Sequence, residues 1–499
     1  MKKLNITSVF LLLLFSSLYF LTLKVAFFNY ENFEFTSDIF HNFSAIRNLK
    51  NGHGPYEGPI QQFIFGRHTY LIFYLIYPLL YLFNDPKILI IINISSVFIS
   101  SLFIYIISLE MLKKDINRYL ISSIITILFI FYPIVVKGYF IDPYGFGPDI
   151  IAAPLFLYLF YSVIKKNLTL VLINFFLILL VKEEFILILP ALFVFVLIIQ
   201  YLSELDGIKW NLRNLAPIFI VYLITSILLI IILFYYKKLN TDIYAEYTYL
   251  PFQLPAFEMN LISKIIFVCL KLVAPVTPLF LLFIFYKGMD KFTITVWLLL
   301  SFSVLLRVIE NYFIYQGNAN GSAWSNFILA PIIFILIIVS VKKILESNLA
   351  KKKFILIFGF SSIFILSITN NILSKQNTFK YYLKFFKNDN QNILVKELKI
   401  INKKIEYNNN QIEFMILPSY LMYPFMQMST LTIRSLEILP KYAEIKNKEL
   451  MIKESKYILL NKKTLKIKDE LKKPSQVIID LTKTYKKKIY ETKNFILYK

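Results

Sequence analysis

The scarcest titratable side chains of this chain gather in one short stretch. Residues 33–73 read FEFTSDIFHNFSAIRNLKNGHGPYEGPIQQFIFGRHTYLIF and hold all three histidines, His41, His53 and His68, together with Asp38. Asp38 and His41 are three residues apart, so on a helix they share a face. A carboxylate there is suited to act as a general base, and with His41 and His68 it forms a donor set for a divalent metal ion. Two ordinary interpretations stay open: TSD before IFHNFSAI is good helix-capping sequence, and His53 suits an exposed loop.

A second group of charges interrupts apolar sequence. Lys182, Glu183 and Glu184 break a predominantly apolar run from 168 to 202. Four more candidates flank apolar runs, namely Asp142, Asp149, Arg307 and Glu310. Charges at membrane depth are costly and tend to be paired and functional, so we predict substrate-binding roles for these residues and for His41 and His68. A plain polar turn is the alternative for VKEE, and the two aspartates also suit the turn PYGFGP between them.

The composition is that of a membrane protein. Of the 499 residues, 57% are hydrophobic, and the mean hydropathy is +0.62. A soluble chain of that length would leave much apolar surface in water. The net charge of +23 suits anionic lipid headgroups. Because that charge is spread along the chain and no nucleic-acid-binding motif occurs, nucleic acid is not expected as a partner. Cys269 is the only cysteine, which excludes an intramolecular disulfide and a cysteine metal site.

Repeated apolar runs predict a polytopic α-helical membrane protein with about eleven spans. The predicted spans are 7–28, 87–109, 119–136, 149–164, 168–181, 185–202, 215–236, 261–286, 292–309, 325–341 and 354–371. The first run lacks a small-residue cleavage site, so we interpret it as an uncleaved span rather than a signal peptide. The segment 69–83 is short and contains Pro78. We expect an interfacial or re-entrant helix there, and a further span is the alternative.

The distribution of lysine and arginine predicts which loops share a side. The positive-inside rule is satisfied when the N-terminus lies in the cytoplasm. The outer segments are then the first outer loop, 29–68, the turns 137–148 and 181–184, the loops 237–260 and 310–324, and everything after residue 371. The candidate residues named above therefore gather at the outer face of what we expect to be the plasma (inner) membrane.

The C-terminal region has a different character. Residues 372–499 are polar and lysine-rich but contain the apolar bursts IEFMILP, KYILLN, QVIIDL and NFILYK. Bursts of this kind are typical of strands. We therefore predict a transmembrane domain, 1–371, followed by a small soluble extracytoplasmic α/β domain, 372–499. A disordered basic tail is the alternative.

Several motifs, in order, resemble a known family. FTSDIFHNFSAIRNLKNG, FGRHTYLIFYLIYPLLYLF, YGFGPDIIAAPLFLYLF and VKEEFILILPAL resemble successive motifs of the prokaryotic membrane-protein family called domain of unknown function 2079. VAPVTPLFLL and KYILLN also fit that family. The chain departs from the pattern at three places: Gly147 stands where the family usually has His, Asp149 stands where it has Glu, and SDIF at 37–40 lacks a Gly.

The resemblance implies an architecture and an activity. The family is related in architecture to the GT-C class of membrane glycosyltransferases, in which an acidic residue of the first outer loop acts as base or binds the acceptor. The sugar in that class comes from a polyprenyl-phosphate carrier. By this analogy Asp38 would deprotonate an acceptor hydroxyl of the cell envelope, and Lys182, Arg307 or His68 would stabilise the departing phosphate. Membrane lipids, including a polyprenyl-phosphate sugar, are the implied partners.

Two other functions stay open at this point. A transporter or flippase of an envelope lipid would need polar residues deep in several spans, whereas most predicted spans are built of Ile, Leu and Phe. A non-enzymatic membrane scaffold would account for the C-terminal region but would not explain why the Asp and His residues are clustered. The sequence does not indicate the sugar, the acceptor, the oligomeric state or a requirement for a metal cofactor.

Overall fold

The computed structural model is mostly helical. It describes residues 6–31, 38–57, 62–66, 68–140, 145–202, 208–243, 328–347, 352–373, 379–387, 396–397, 400–401, 404, 413–417, 431–435, 452–453, 455–461, 480 and 482–499. The helices are α1 (Ile6–Glu31), α2 (Asp38–Lys50), α3 (Phe73–Ile76), α4 (Lys87–Met111), α5 (Arg118–Phe131), α6 (Pro133–Gly138), α7 (Ala152–Ile164), α8 (Leu168–Val181), α9 (Phe185–Leu202), α10 (Leu212–Ile243), α11 (Leu329–Glu346), α12 (Lys352–Leu373) and α13 (Phe379–Phe386). Short 3-10 helices cover Ile64–Gly66, Tyr77–Tyr81 and Pro148–Ile151.

The apolar runs that predict spans form helices wherever the structure describes them. In the described ranges, four helices are long and apolar enough to cross a membrane, and they lie within α1, α4, α10 and α12. Shorter apolar helices cover Arg118–Phe131, Pro148–Ile164, Leu168–Val181 and Ile188–Tyr201. The predicted spans 261–286 and 292–309 lie outside the described residues, so the number eleven stays a prediction.

A proline divides one of the predicted spans into two helices. The predicted span 119–136 is divided between α5 and α6, because Tyr132 is extended (ψ 136°) immediately before Pro133. A residue that precedes proline is sterically biased away from the helical conformation. Proline is favourable at the first position of a helix, so α6 starts at once.

Ion pairs group the connecting loops at two ends of the helices. At one end the α8–α9 turn contacts both His68 and Asp149. At the other end Lys165, in the α7–α8 turn, pairs with Glu110 of α4 at 2.6 Å. A cavity of about 400 Å³ lies at this second end, between the C-termini of α4, α7 and α11. The grouping agrees with the alternation of sides predicted from lysine and arginine, while the assignment of the first end to the outer face stays a prediction.

The segment 69–83 is too short to cross a bilayer. Its α3 helix has 4 residues and the 3-10 helix that follows has 5. The side chains at its end are apolar and exposed: Tyr81, Leu82 and Phe83 are 67%, 74% and 59% accessible. Lys50 of α2 donates a hydrogen bond to the carbonyl oxygen of Leu80 at 2.9 Å. The position of this segment at the membrane interface stays a prediction.

One amide in α10 holds the loop that precedes α3. The strands β1 (Tyr56–Glu57) and β2 (Gln62–Phe63) form a small antiparallel hairpin. The backbone N–H of Phe63 donates to Asn240 Oδ1 at 2.8 Å, and Asn240 Nδ2 donates to the carbonyl of Phe63 at 3.0 Å. Asn240 is buried, so these paired hydrogen bonds fix the loop against α10.

Gly66 is the point of closest approach between this loop and α10. A Cβ atom added there would overlap Asn240 Nδ2 and would lie 2.8 Å from the backbone oxygen of Tyr236. We expect Gly66→Ala to destabilise the protein by about 1–3 kcal/mol, since the backbone of α10 cannot move aside cheaply. The measurement is thermal unfolding in detergent. The reference is the wild-type protein under the same conditions. An unfolding temperature of Gly66→Ala equal to that of wild type would contradict the steric account.

The C-terminal region contains a mixed sheet, as the apolar bursts predict. Its strands are β3 (Glu413–Leu417), β4 (Leu431–Ser435), β5 (Ser455–Asn461), β6 (Lys488–Glu491) and β7 (Phe495–Tyr498), in the order β4-β3-β5-β7-β6. β3 is parallel to β4 and β5, and β7 is antiparallel to β5 and β6. Three of the four predicted strands are present. The prediction for QVIIDL is wrong at its described residue, since Asp480 is helical.

The first helix after the last predicted span packs back onto α1. In α13 the Tyr382 hydroxyl hydrogen-bonds Thr22 Oγ1 at 2.8 Å, and Asn29 Nδ2 donates to the carbonyl of Tyr381 at 3.2 Å. Phe385 makes an edge contact with Phe28. The first helix after residue 373, α13, therefore packs against the apolar helix α1.

Candidate functional site

Three separate segments of the chain meet at the α8–α9 turn. Helix α8 ends at Val181, where the apolar run meets three charged residues, and Lys182 is extended (φ −166°, ψ 147°). The N–H of Phe185 donates to the carbonyl of Lys182 at 3.1 Å, so α9 begins directly afterwards. The other two segments are the loop 68–72, which leads into α3, and the 3-10 helix Pro148–Ile151, which leads into α7. We call the side chains gathered here the ionic cluster: His68, Tyr70, Asp149, Lys182, Glu183 and Glu184.

Lys182 lies between two carboxylates inside the protein. Its Nζ is 2.6 Å from Glu184 Oε1 and 3.6 Å from Asp149 Oδ2. The side chains of Lys182, Glu184 and Asp149 are 2%, 5% and 8% exposed. Charges buried to this extent depend on one another, because none is well hydrated alone. The three groups therefore fasten the α8–α9 turn to the start of α7.

Glu183 contacts the first loop instead. Its Oε1 is 3.0 Å from His68 Nδ1, and its Oε2 accepts a hydrogen bond from the backbone N–H of Thr69 at 2.7 Å. Nδ1 must carry a proton for the first contact to be a hydrogen bond. The N–H of Ile72 also donates to the carbonyl of Leu180 at 2.8 Å. Side chain and backbone thus join two segments that are more than a hundred residues apart in the chain.

Tyr70 forms the apolar wall of the ionic cluster. Its ring centroid is 5.3 Å from that of His68 and 5.3 Å from that of Phe73. Burial raises the pKa of the Tyr70 phenol well above its ordinary value; Lys182 lowers this pKa, and the neighbouring carboxylates raise it further. Tyr70 is therefore a neutral phenol that can donate a hydrogen bond but does not act as a base.

The structure brings together five of the ten predicted site residues: His68, Asp149, Lys182, Glu183 and Glu184. Asp142, Arg307 and Glu310 lie outside the described residues. The backbone of Asp38 begins α2, but its side chain is not among those described, and half-buried His41 lies one turn further on. His53 is exposed, as predicted.

The metal donor set found among the described side chains shares one residue with the predicted set, which stays a prediction because the side chain of Asp38 is not described. The prediction combined Asp38, His41 and His68. Among the described side chains, the group whose donor atoms lie within 4.8 Å of one another is His68, Glu183 and Glu184. His68 is common to both sets, and the carboxylates come from the α8–α9 turn.

Helix α2 lies beside the segment that carries His68. It packs against α3 and the 3-10 helix Tyr77–Tyr81. The buried guanidinium of Arg47 lies over the ring of Phe43, 5.9 Å from its centroid. Burial lowers the pKa of Arg47 to about 10, so this residue stays a cation at neutral pH. The helix that starts at Asp38 therefore borders the segment that leads into the ionic cluster.

Sequence reasoning missed three contributors to this region. Tyr70 is one aromatic residue among many in the sequence, and Thr69 contributes a backbone N–H, which any residue except proline also has. Asn240 hydrogen-bonds the backbone of Phe63, which lies 177 positions earlier in the chain. The Gly66–x–His68 motif could have indicated the contact between this loop and α10, because Gly66 is the residue at which the loop approaches α10 most closely.

The ionic cluster has the chemistry of an anion-handling or proton-handling site. It offers an imidazole that is 23% exposed, three carboxylates, a neutral phenol and an ammonium. Such groups can bind a phosphate or a metal ion and can transfer protons. The fold and the cluster together define a mostly helical membrane protein with an ionic site at the ends of its apolar helices.

Comparison with known proteins supports this class and gives the family. Residues 39–485 match the family model of DUF2079, described as a predicted membrane protein. The chain belongs to the DUF2079 family. No curated protein matches the sequence. Among solved structures, the chain is similar to the crystal structure of ArnT from Cupriavidus metallidurans bound to undecaprenyl phosphate, with a TM-score of 0.59, 9% identity, and coverage of 98% of this chain and 97% of that one. ArnT is a GT-C glycosyltransferase, so the similarity gives this chain a GT-C-like fold.

Proposed function

We propose that this protein is a glycosyltransferase that moves a sugar from a polyprenyl-phosphate donor to an acceptor of the cell envelope. The observation that carries the proposal is the coincidence of a GT-C-like fold over nearly the whole chain with a buried ionic cluster between loops predicted to face outward. The neighbour with this fold was crystallised with undecaprenyl phosphate, a lipid of the proposed donor class. The fold by itself does not define the reaction, which is why an experiment on this chain must decide.

The proposed reaction is a displacement at the anomeric carbon. The acceptor hydroxyl attacks that carbon, its proton passes to the carboxylate of Asp38, and the bond to the lipid phosphate breaks with inversion. The polyprenyl phosphate leaves with the electron pair of that bond. Groups that stabilise the negative charge gathering on the phosphate accelerate such a step.

The geometry favours His68 over Lys182 as a group that contacts the phosphate. The His68 side chain is 23% exposed, whereas that of Lys182 is 2% exposed and lies against Glu184 and Asp149. Lys182 then acts by positioning the carboxylates of the cluster. Arg307, Glu310 and Asp142, together with His41, stay proposals for contacts with donor or acceptor.

The proposal includes an orientation in the membrane. The N-terminus lies in the cytoplasm, and the ionic cluster and the sheet of the C-terminal region lie on the extracytoplasmic side of the inner membrane. Residues 1–371 form the transmembrane domain and 372–499 the soluble one, with α13, near the start of the second, packed against α1. Cysteine labelling with a membrane-impermeant reagent tests this orientation, since Cys269 is the single native cysteine and can be replaced first.

Transport is the second candidate, and the interior of the described helices argues against it. Several buried hydroxyls in α4, α5 and α7 donate to carbonyls four residues earlier in their own helices, as Ser100 does to Ser96, Thr126 to Ser122 and Ser162 to Tyr158. A hydroxyl satisfied in this way is not offered to a passing substrate. The ionic groups lie instead at the helix ends, where a reaction with a lipid-linked donor would take place.

Binding of the donor class is the direct test of the proposal. We expect native mass spectrometry of the purified protein to find one bound undecaprenyl phosphate, with occupancy reduced at least tenfold in His68→Ala. His53→Ala is the matched control, because His53 lies in the same loop but is exposed. A folded protein that retains no lipid phosphate at any tested concentration would move the assignment to transport of another substrate or to a scaffold.

A further inference from the structure

The contact between the first loop and the α8–α9 turn has the donor atoms of a metal site. His68 Nδ1 and one carboxylate oxygen each from Glu183 and Glu184 all lie within 4.8 Å of one another. An ion with bonds of about 2.1 Å holds its ligands about 3 to 4 Å apart, so small side-chain rotations complete the set. One imidazole and two carboxylates suit a divalent transition-metal ion such as Zn²⁺ or Mn²⁺.

Both carboxylate ligands are already oriented by a partner outside the set. The Thr69 N–H holds Glu183 Oε2, which leaves Oε1 toward His68. Lys182 holds Glu184 Oε1 at 2.6 Å. Outer partners of this kind fix the ligands of metal sites and raise metal affinity. Glu183 and Glu184 are 10% and 5% exposed, so a bound ion would be shielded from bulk water.

The surroundings support the same conclusion. The carboxylates of Glu184 and Asp149 lie on the same ammonium group, 2.6 Å and 3.6 Å from Lys182 Nζ, and Glu183 is the neighbouring residue of the same turn. Carboxylates held so close together repel one another, and a dication reduces that repulsion. His68 is 23% exposed, which leaves an entry path from one side.

We propose that His68, Glu183 and Glu184 bind one divalent transition-metal ion. The ion joins the first loop to the α8–α9 turn, with His68 as a neutral imidazole that coordinates through Nδ1. Three protein ligands leave at least one position open for water or for an oxygen of a phosphate. Metal binding at this site is independent of the proposed transfer reaction, and its test uses no substrate.

Metal content measures the site directly. The full chain, purified without a polyhistidine tag, is stripped with a chelator, loaded separately with Mn²⁺ and with Zn²⁺, and desalted. We expect about one equivalent of metal by mass spectrometry of the elements, and a protein-bound Mn²⁺ signal by electron paramagnetic resonance. Because the ion links two segments, it should also raise the unfolding temperature in proportion to the logarithm of its concentration.

Two ligand variants and one control separate the site from adventitious binding. His68→Ala and Glu183→Gln are expected to lose at least nine tenths of the bound metal, and His53→Ala is expected to keep all of it. Glu183→Gln retains an acceptor for the Thr69 N–H, so it keeps the loop contact if His68→Ala does not fold. Wild-type protein that stays metal-free, or equal metal content in all four proteins, would overturn the proposal and leave the cluster held by hydrogen bonds and ion pairs alone.

Discussion

Lys182→Met is expected to destabilise the protein by about 3–5 kcal/mol, the range seen when one partner of a buried ion pair is removed. The variant leaves the carboxylates of Glu184 and Asp149 buried without the ammonium that lies 2.6 Å and 3.6 Å from them. Methionine keeps most of the volume of the side chain, so the loss is electrostatic rather than steric. Unfolding in a detergent titration, followed by tryptophan fluorescence or circular dichroism, measures the change.

Two further variants identify the cause. Lys113→Met removes an exposed ion pair, since Lys113 Nζ is 3.7 Å from Glu110 and its side chain is 63% exposed. Its expected cost is under about 1 kcal/mol. Adding Glu184→Gln to Lys182→Met removes one of the two uncompensated charges and is expected to recover part of the lost stability. If Lys182→Met unfolds with the same midpoint as Lys113→Met, the cluster is not an interdependent set of buried charges.

Asp38→Asn is expected to reduce sugar transfer by about 10²–10⁴-fold, the usual contribution of a general base. Asparagine has the size of aspartate and is equally accepted at a helix N-terminus, so α2 should form as before. The loss of the negative charge near the start of the helix costs at most about 1 kcal/mol. The expected pattern is thus a folded protein that binds the lipid donor normally and transfers the sugar slowly.

Asp85→Asn is the matched control for this variant. Asp85 Oδ1 accepts a hydrogen bond from the N–H of Lys87 at 2.8 Å, which an amide oxygen can also accept. Its rate of transfer should stay within about twofold of wild type, since the residue lies just before α4 and outside the ionic cluster. Normal transfer by Asp38→Asn would remove Asp38 from the chemistry, and loss of lipid binding would assign it to the donor site instead.

Local sequence pattern was enough to predict most of the described apolar helices and the charged residues that interrupt one of the apolar runs. Lys182, Glu183 and Glu184 stand out because they divide an apolar run that is otherwise long enough to span, and α8 and α9 do end and begin there. Because successive loops are predicted to alternate between the two sides of the membrane, this turn is expected at the same helix ends as His68 and Asp149. In the structure His68 Nδ1 lies 3.0 Å from Glu183 and Asp149 Oδ2 lies 3.6 Å from Lys182 Nζ, which agrees with that expectation. Which group pairs with which could not be predicted, because all the partners fall on the same side.

Contacts between distant segments were beyond the sequence. The amide of Asn240 holds Phe63 across 177 positions, and Tyr382 reaches Thr22 across 360. These contacts depend on how the helices pack against one another. The pattern of apolar residues does not reveal that packing in a membrane protein, because residues that face lipid and residues that face other helices are equally apolar. The strands β4 and β6 were missed for a different reason: LTIRS and KIYE are short and carry charged residues, so they lack the apolar bursts of their neighbours.

The central claim is that this chain transfers a sugar from a polyprenyl-phosphate donor. The measurement that tests it is turnover in proteoliposomes that contain defined polyprenyl-phosphate sugars, with an extract of cell-envelope lipids and glycans as the acceptor source. The account predicts that free polyprenyl phosphate appears together with a glycosylated product, and that both fall at least a hundredfold in Asp38→Asn but not in Asp85→Asn. Donors that stay intact with folded wild-type protein, while a labelled lipid moves between the leaflets, would contradict the account and identify a transporter.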